Sequence, residues 1–582
     1  MKPSLRVAAA VALWALAGAC PALAGEHVLR EICPGRLWLE SEKAIRFTGM
    51  EQPFLCGDPE TPAWRDIPPA QVRFHMSTFL QARGYFRPEF EERGEGLIVR
   101  PGPRKLVSRF QVDGAPPEVD WRRRRRVRHR VLSPKFLNEM EGWVRHEAKS
   151  RGYPCPVAKG RANVETGEIV VDLEPGPRQK IDGIQVEEIP GMDSGVLRRF
   201  DAFQPGEWFN EDYLLLSADR AEKSGLVQNT YFESDCGAEG VALRQKTFAG
   251  KPRLLRVGVG ADTEEYAIVK ASWKHTRLGR KASNFEVAAY ASYKRQQLDI
   301  SSELYFLAPE SRWHLFPVLS FSHERESDFH FISGSAKLLA ATSWDWQESG
   351  LRFAAGPDLN YVDTFRGAQP GLTRFLSLEY EAEWMSHYYE WFQNDPRTGF
   401  YLRLTGNLTN KNLLSELSAQ RFRVDGQYLY NFRNLDPPWL VFGVRGAFMG
   451  TFVDRTPENL AKLPPNYKFY LGGSADLRGF GRKELPNPDG ALSAAFASFE
   501  LRFANWIPYG VQPFVFLDAG ILGDQAFRFK LPFYYSPGFG IRYHSPIGVF
   551  RTTLARGFKA GGDDGNPDNT HFQFFISYGE EF

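Results

Sequence analysis

Beyond residue 24 the chain has no run of about 18 apolar residues, so it holds no transmembrane helix. It has almost no net charge: 72 Lys and Arg against 70 Asp and Glu leave +2. That balance favours neither nucleic acid nor an acidic partner. Enzyme signatures are missing too. There is no Gly-x-Ser-x-Gly, no His-Glu-x-x-His and no phosphate loop. Asp563-Asp564-Gly565 with Asp568 lacks the ligand spacing of a calcium loop and is expected to be solvated. No catalysis, metal or other cofactor is therefore expected. Cysteine is scarce, five in 582 residues.

What is present starts with an export signal over residues 1–24. Lys2 and Arg6 form its basic region, Val7 to Leu16 its apolar core, and Ala22-Leu23-Ala24 a cleavage site. Cys20 after Ala17-Gly18-Ala19 loosely resembles a lipoprotein site. Its leucine lies one place too far upstream and a proline follows, so ordinary cleavage after Ala24 is expected. The remaining cysteines then enter an oxidising compartment. Cys33 and Cys56 flank a short stretch and form a possible disulfide. Cys155 and Cys236 hold similar places in successive repeats, which argues that they are too far apart to bond.

Arg100-Pro101-Gly102-Pro103-Arg104 recurs as Glu174-Pro175-Gly176-Pro177-Arg178. Alternating strands flank each copy, and an amphipathic helix ending in Arg-Gly-Tyr precedes it. A third helix, Asn210 to Ser224, ends at Gly225. The pattern predicts three α+β units of strand-helix-helix-strand-strand order, at 25–105, 106–178 and 179–251. The run Arg122 to Arg126 is expected to be a solvated face of the second unit, with a lipid or protein contact as the alternative.

From about residue 252 helical periodicity vanishes. Segments of roughly ten alternating residues, separated by turn residues, continue to Phe582. Aromatic residues, 14% of the whole, crowd this half. About 330 residues at roughly 20 per strand and connection give about sixteen strands, so 252–582 is expected to be a 16-stranded antiparallel transmembrane β-barrel. The last strand shows the logic. Phe572, Phe574, Ile576 and Tyr578 share one face, while Gln573, Ser577 and Gly579 share the other with Phe575. Parity applied upstream turns Phe499, Leu501 and Phe503 outward, and Glu500 and Arg502 into the lumen. On the next strand Val515, Leu517 and Ala519 face out, and Phe516, Asp518 and Gly520 face in.

The longest barrel connection, between Val453 and Ser493, contains Gly472-Gly473 and Leu477-Arg478-Gly479-Phe480. It resembles the signature loop of the Omp85 superfamily. Phe499 to Phe503, Phe516 to Gly520, and Gly538 to Arg542 through Ser545 to Gly548 are similar to that superfamily's final strands. The resemblance implies that the N-terminal units are POTRA-like periplasmic domains and that Arg478 docks against the inner wall. Glu500 and Asp518 are its expected partners, since a planar guanidinium meets carboxylates bidentately. Otherwise the two acids line a wet pore. Three units before a barrel look most like the TamA branch, the translocation and assembly module. BamA-like members usually carry five, and two-partner secretion transporters two behind a plug helix. No plug helix is evident, and Glu26 to Leu39 is too irregular to assign.

The function this resemblance implies is an outer-membrane insertase or translocation protein, with its N-terminal units in the periplasm. It would assemble or export unfolded β-barrel or autotransporter-type substrates, contact outer-membrane lipid, and work with a TamB-like periplasm-spanning partner. No nucleic-acid partner is expected. Substrates are expected to use a lateral seam between the first and last strands, weakened by Gly258, Gly260 and Gly579. Phe582 is the expected C-terminal assembly signal. The alternatives are a two-partner secretion pore for one exoprotein, and a passive channel or receptor.

Overall fold

The computed structural model describes residues 28–58, 60, 67–124, 127–237, 240–367, 370–393, 395–454, 456–486, 490–545, 548–561 and 572–578. The leader, the Asp563 to Asp568 stretch, Arg125, Arg126, Gly579 and Phe582 lie outside them. The chain divides into two compact bodies. One comprises residues up to 116, 126–145 and 157–174; the other comprises 117–125, 146–156 and 175–582.

The first body holds two sheets. In the first, β1 (Val28–Cys33), β2 (Leu37–Ser41), β3 (Glu89–Arg93) and β4 (Gly96–Arg100) run in the order β1-β2-β4-β3. Between β2 and β3 lie helices α1 (Gln52–Cys56) and α2 (Pro69–Gln81). Val72, Met76 and Leu80 recur at three- and four-residue spacing along α2 and are buried with Leu37, Leu39, Leu97 and Val99. Cys33 bonds to Cys56. Within the stretch left unassigned in the sequence, Val28 to Leu39 belongs to the β1–β2 hairpin.

The second sheet has β5 (Arg109–Asp113), β6 (Val157–Asn163) and β7 (Glu168–Glu174) in the order β5-β7-β6, and helix α3 (Pro134–Lys149) lies between β5 and β6 in sequence. A third sheet repeats this plan in the other body. It has β8 (Ile181–Val186), β9 (Val227–Cys236) and β10 (Val241–Ala249) in the order β8-β10-β9, with helix α4 (Glu211–Ser224) before β9. Asn210 caps α4 by accepting from the Asp212 N–H, and Gly225 ends it at φ +82°. The repeat is thus present, with one correction. The first helix expected in the second and third units is only a 3-10 stretch, Trp121–Arg123 and Ser194–Phe200. Like charges within Arg122 to Arg126 repel at helical spacing, and Gly191 and Gly195 weaken the second stretch.

A closed antiparallel barrel of sixteen strands follows, with Gly548–Arg556 and Phe558–Ala560 forming one strand interrupted at Gly557. Among the described residues, strands run from seven residues at Phe572–Tyr578 to eighteen at Ser349–Arg366. Its outer face is apolar and exposed: Phe321, Leu359, Leu378, Leu402, Phe539 and Phe572 all point outward. Its inner face is polar and buried, with Asp358, Ser377, Glu500, Asp518 and Ser536. This inversion of a soluble core suits a lipid surround and a hydrated lumen.

Candidate functional site: a lumen-anchored loop beside a thin seam

The described residues between 454 and 492 connect two barrel strands and fold back into the lumen. Two glycines make the bend. Gly472 and Gly473 sit at φ +112° and +118°, where side chains are strained. A Cβ on Gly473 would lie 2.5 Å from Glu264 Oε1, in the first barrel hairpin. The Asp476 carboxylate closes the turn by accepting from the Gly472 N–H at 2.6 Å. Leu477 and Phe480 are buried with Phe469, Leu471, Met449, Ala494 and Leu522, so an apolar pad seats the loop. Gly479 packs backbone to backbone on Gly557; a Cβ there would lie 2.4 Å from the Gly557 nitrogen.

Arg478 is fully buried. Its Nε and one terminal nitrogen donate to the two oxygens of Asp518 at 2.9 and 2.7 Å. The other terminal nitrogen donates to Glu500 at 3.0 Å, and Ser498 Oγ accepts at 2.9 Å. The Arg478 backbone N–H adds a bond to Asp518 at 3.1 Å. Below, the guanidinium lies 3.3 Å from the centroid of Phe516. Parity thus places Glu500, Asp518 and Phe516 inward, and tertiary folding brings Arg478 to all three. Glu500 also accepts from Arg502 at 2.7 Å, with Arg551 at 3.7 Å.

Further anchors escape sequence reasoning. Ser474 donates its N–H to Glu264 at 3.2 Å. Arg482 pairs with Glu265 at 2.9 Å and Glu326 at 2.8 Å, and Lys483 pairs with Glu324. The only sequence signal for these was the clustering of acids in turns Asp262 to Glu265 and Glu324 to Glu326.

The first barrel strand (Arg253–Asp262) meets the last (Phe572–Tyr578) at Ala261–Tyr578 and Asp262–Ser577, with one further bond from the Thr263 N–H to the Ile576 carbonyl at 3.1 Å. Along its other edge the first strand pairs over its full length, from Arg253–His275 to Asp262–Tyr266. Leu255, Val257 and Val259 are 72%, 68% and 70% exposed. The register corrects the expected seam. Gly258 has no partner on the last strand among the described residues. Gly260 does more than weaken the strand: a Cβ there would sit 2.9 Å from the Tyr578 carbonyl, so glycine permits the close approach.

Within the barrel lies a cavity of about 1820 Å³, lined by charged side chains that include Arg352, Glu383, Arg403 and Asp425. Val259 and Tyr578, from the two seam strands, also line it. From the third α+β unit, α4 contributes Arg220 and Lys223 to its wall. Arg220 reaches Asp345 at 2.8 Å and Glu390 at 2.6 Å, and His387 Nε2 lies 2.9 Å from Asp345. Among the described residues no three His, Cys, Asp or Glu side chains are grouped to hold a metal.

Two surface expectations are corrected. The basic run is not simply solvated: Arg124 pairs with Asp436 at 2.9 Å, and Arg123 donates to the Asn434 carbonyl at 2.8 Å, both on a barrel turn. Cys155 and Cys236 are bonded. Their Cα atoms lie 6.5 Å apart, a proximity across 81 positions that the sequence does not give. Nearby His146 lies 3.1 Å from Asp212 and 2.7 Å from Glu211. Hydrogen bonds to these carboxylates, Asp212 foremost, push the imidazole up to about 10.

Residues 376–582 match the Omp85 superfamily domain. Among solved structures, the chain is similar to BamA from Haemophilus ducreyi lacking POTRA domains 1-3, at 15% identity over 81% of this chain and 99% of that one, TM-score 0.48. CdiB from Acinetobacter baumannii is 12% identical over 81% of this chain and 90% of that one, TM-score 0.45. CdiB from Escherichia coli is 13% identical over 87% of this chain and 95% of that one, TM-score 0.45.

Proposed function

We propose that this protein is a non-enzymatic outer-membrane insertase or translocation protein of the TamA type. Its barrel spans the outer membrane, and its α+β units, POTRA-like, stand in the periplasm. Its substrates are unfolded β-barrel or autotransporter-type chains, and its partner is a periplasm-spanning protein of the TamB type. The observation that carries the reading is the seam. Among the described residues, the first strand of ten residues pairs with the last at two positions, so the described join is short beside the lipid and presents a strand edge on opening. Unpaired backbone in hydrocarbon is costly, so such an edge recruits another strand. Joining strand to edge then supplies driving force without nucleotide or metal.

The anchored loop serves this by bracing the wall on both sides of the seam. Arg478 fixes it to the strands carrying Glu500 and Asp518, while Ser474 and Arg482 hold the hairpin that begins at the seam. A dedicated secretion pore would need the same loop and the Arg220 side of the third unit to vacate the lumen together, which favours the lateral route over that alternative.

The test is a disulfide at the registered pair, Asp262→Cys with Ser577→Cys. Oxidised protein should lose assembly of an autotransporter-type substrate, and reductant should restore it. Single-cysteine variants under the same reductant control for the two native disulfides. Undiminished assembly by the oxidised double variant would exclude the seam.

A further inference from the structure

The wall whose inner side meets the loop cations carries cations of its own on the outer side. The first barrel strand starts at Arg253, soon after β10, so its start marks the end of the barrel at the third unit. Antiparallel strands alternate in direction. The fifth (His314–Arg325) therefore runs toward the opposite end, the sixth (His330–Trp346) back from it, and the seventh (Ser349–Arg366) toward it again. Side chains alternate along each. Glu324 and, in the turn, Glu326 point inward, where Lys483 and Arg482 meet them. His323 and Arg325 point outward with Phe321. Register extends the outward set: Arg325 is paired with His330, and His330 with Arg366. These basic side chains form a row across three strands, while the acids beside them are taken up by the loop.

The row is held in place. Gln296 donates its amide N–H to the Ser292 carbonyl at 2.6 Å, which turns its oxygen to His323 Nδ1. His323 Nε2 lies 2.7 Å from His330 Nε2. This chain of contacts fixes the His330 ring, and His323, Arg325 and Arg366 are the titratable and charged side chains that act on it. Arg325 makes no ion pair among the described residues. Arg366 donates to the Glu326 carbonyl, which leaves its charge unneutralised. Two facing imidazoles would suit a transition metal, but the flanking guanidinium groups repel a cation. Among the described residues no third His, Cys, Asp or Glu joins the pair. The site suits an anion.

Its surroundings say which anion. Below the row the same face is apolar, with Phe321, Leu359 and Tyr361 exposed, and beside it the exposed Phe365 ring lies 5.0 Å from that of His330. An anion held here stands at the boundary of hydrocarbon and water, where a lipid headgroup joins its acyl chains. Asp363, opposite Ile332 on this face, adds an acceptor for hydroxyl or amide donors. We propose that Arg325, His330 and Arg366 bind the phosphate of a phosphorylated, acylated sugar lipid in the outer leaflet of the membrane. A guanidinium fork matches two phosphate oxygens, and the apolar face below accepts the chains. The lipid source rests on the proposed placement of the barrel in the outer membrane, with its α+β units in the periplasm, and not on the seam.

Labelled diphosphoryl lipid A, titrated against the full-length protein in detergent, tests it. The wild type should bind this lipid about tenfold more tightly than its dephosphorylated form. Arg325→Gln with Arg366→Gln should lose about that factor for the diphosphoryl lipid and leave the dephosphorylated one unchanged. Lys411→Gln with Arg528→Gln removes equal charge from other turns at the same end and should bind as the wild type does. Equal affinity for the two lipids, no loss in the Arg325 and Arg366 variant, or an equal loss in the control pair would overturn the site. Displacement by an equal concentration of inorganic phosphate would overturn the lipid as its occupant. Ser327→Cys, in the exposed turn, should react with a membrane-impermeant maleimide on intact cells. Failure to react would overturn the membrane placement, and the titration in detergent judges the phosphate site separately. The oxidised Asp262→Cys/Ser577→Cys protein should bind the lipid as the wild type does, so this site and the seam fail separately too.

Discussion

Replacing Arg478 by alanine should undock the lumen loop and leave the barrel closed. The side chain makes four hydrogen bonds, two to Asp518, one to Glu500 and one to Ser498. The two carboxylates lose unequally. Glu500 keeps Arg502 at 2.7 Å. Among the described residues, Asp518, fully buried, keeps only the bond from the backbone N–H at residue 478, and that bond exists only while the loop is docked. Removing one partner of a buried ion pair costs about 3–5 kcal/mol. At about 1.4 kcal/mol per decade, that shifts the docked-to-undocked ratio by roughly two to three and a half decades, with lumen water able to reduce it towards the lower figure. Limited proteolysis within residues 454–492 of the full-length protein reads the undocked population. Cleavage should accelerate by roughly 10²-fold in Arg478→Ala, with the barrel's resistance to unfolding largely kept. Adding Asp518→Asn should recover part of the loss, because it removes the stranded charge. Unchanged cleavage in the single variant, or a double variant no better than the single, would refute the reasoning.

Gly479→Ala should undock the same loop without any change of charge, because its Cβ would lie 2.4 Å from the Gly557 backbone nitrogen; proteolysis resembling the wild type would exclude that contact. His146 is raised from 6.5 to about 10, so the stability it lends the junction of α3 and α4 is complete below about pH 6.5 and lost as pH rises through 10. Thermal melts between pH 7 and 10 should therefore fall less steeply in His146→Gln than in wild type, and parallel slopes would count against the bridge. Cys155→Ser with Cys236→Ser opens a loop spanning 81 positions and should destabilise the second and third units by about 2–4 kcal/mol in denaturant titration, whereas an unmoved midpoint would make the bond incidental.

The sequence by itself determined which way residues face. Period-two alternation turned Glu500 and Asp518 into the lumen and Phe499 and Leu517 toward lipid, because successive side chains on a strand must alternate. Glycines after helices and the Pro-Gly-Pro repeats marked the α+β units, because each supplies a conformation that other residues strain to adopt. The loop motif stood out because its length and composition match no strand. Tertiary structure alone decided which distant groups meet. The seam register, Ala261 with Tyr578 and not Gly258 with Ile576, depends on the stagger accumulated around sixteen strands, which no local pattern encodes. Gly557 under Gly479, Glu264 and Glu265 against the loop, Arg124 on Asp436 and the Cys155–Cys236 bond all join segments far apart in sequence. Alternation fixes a residue's face; only closure of the barrel and the tertiary folding around it fix its partner.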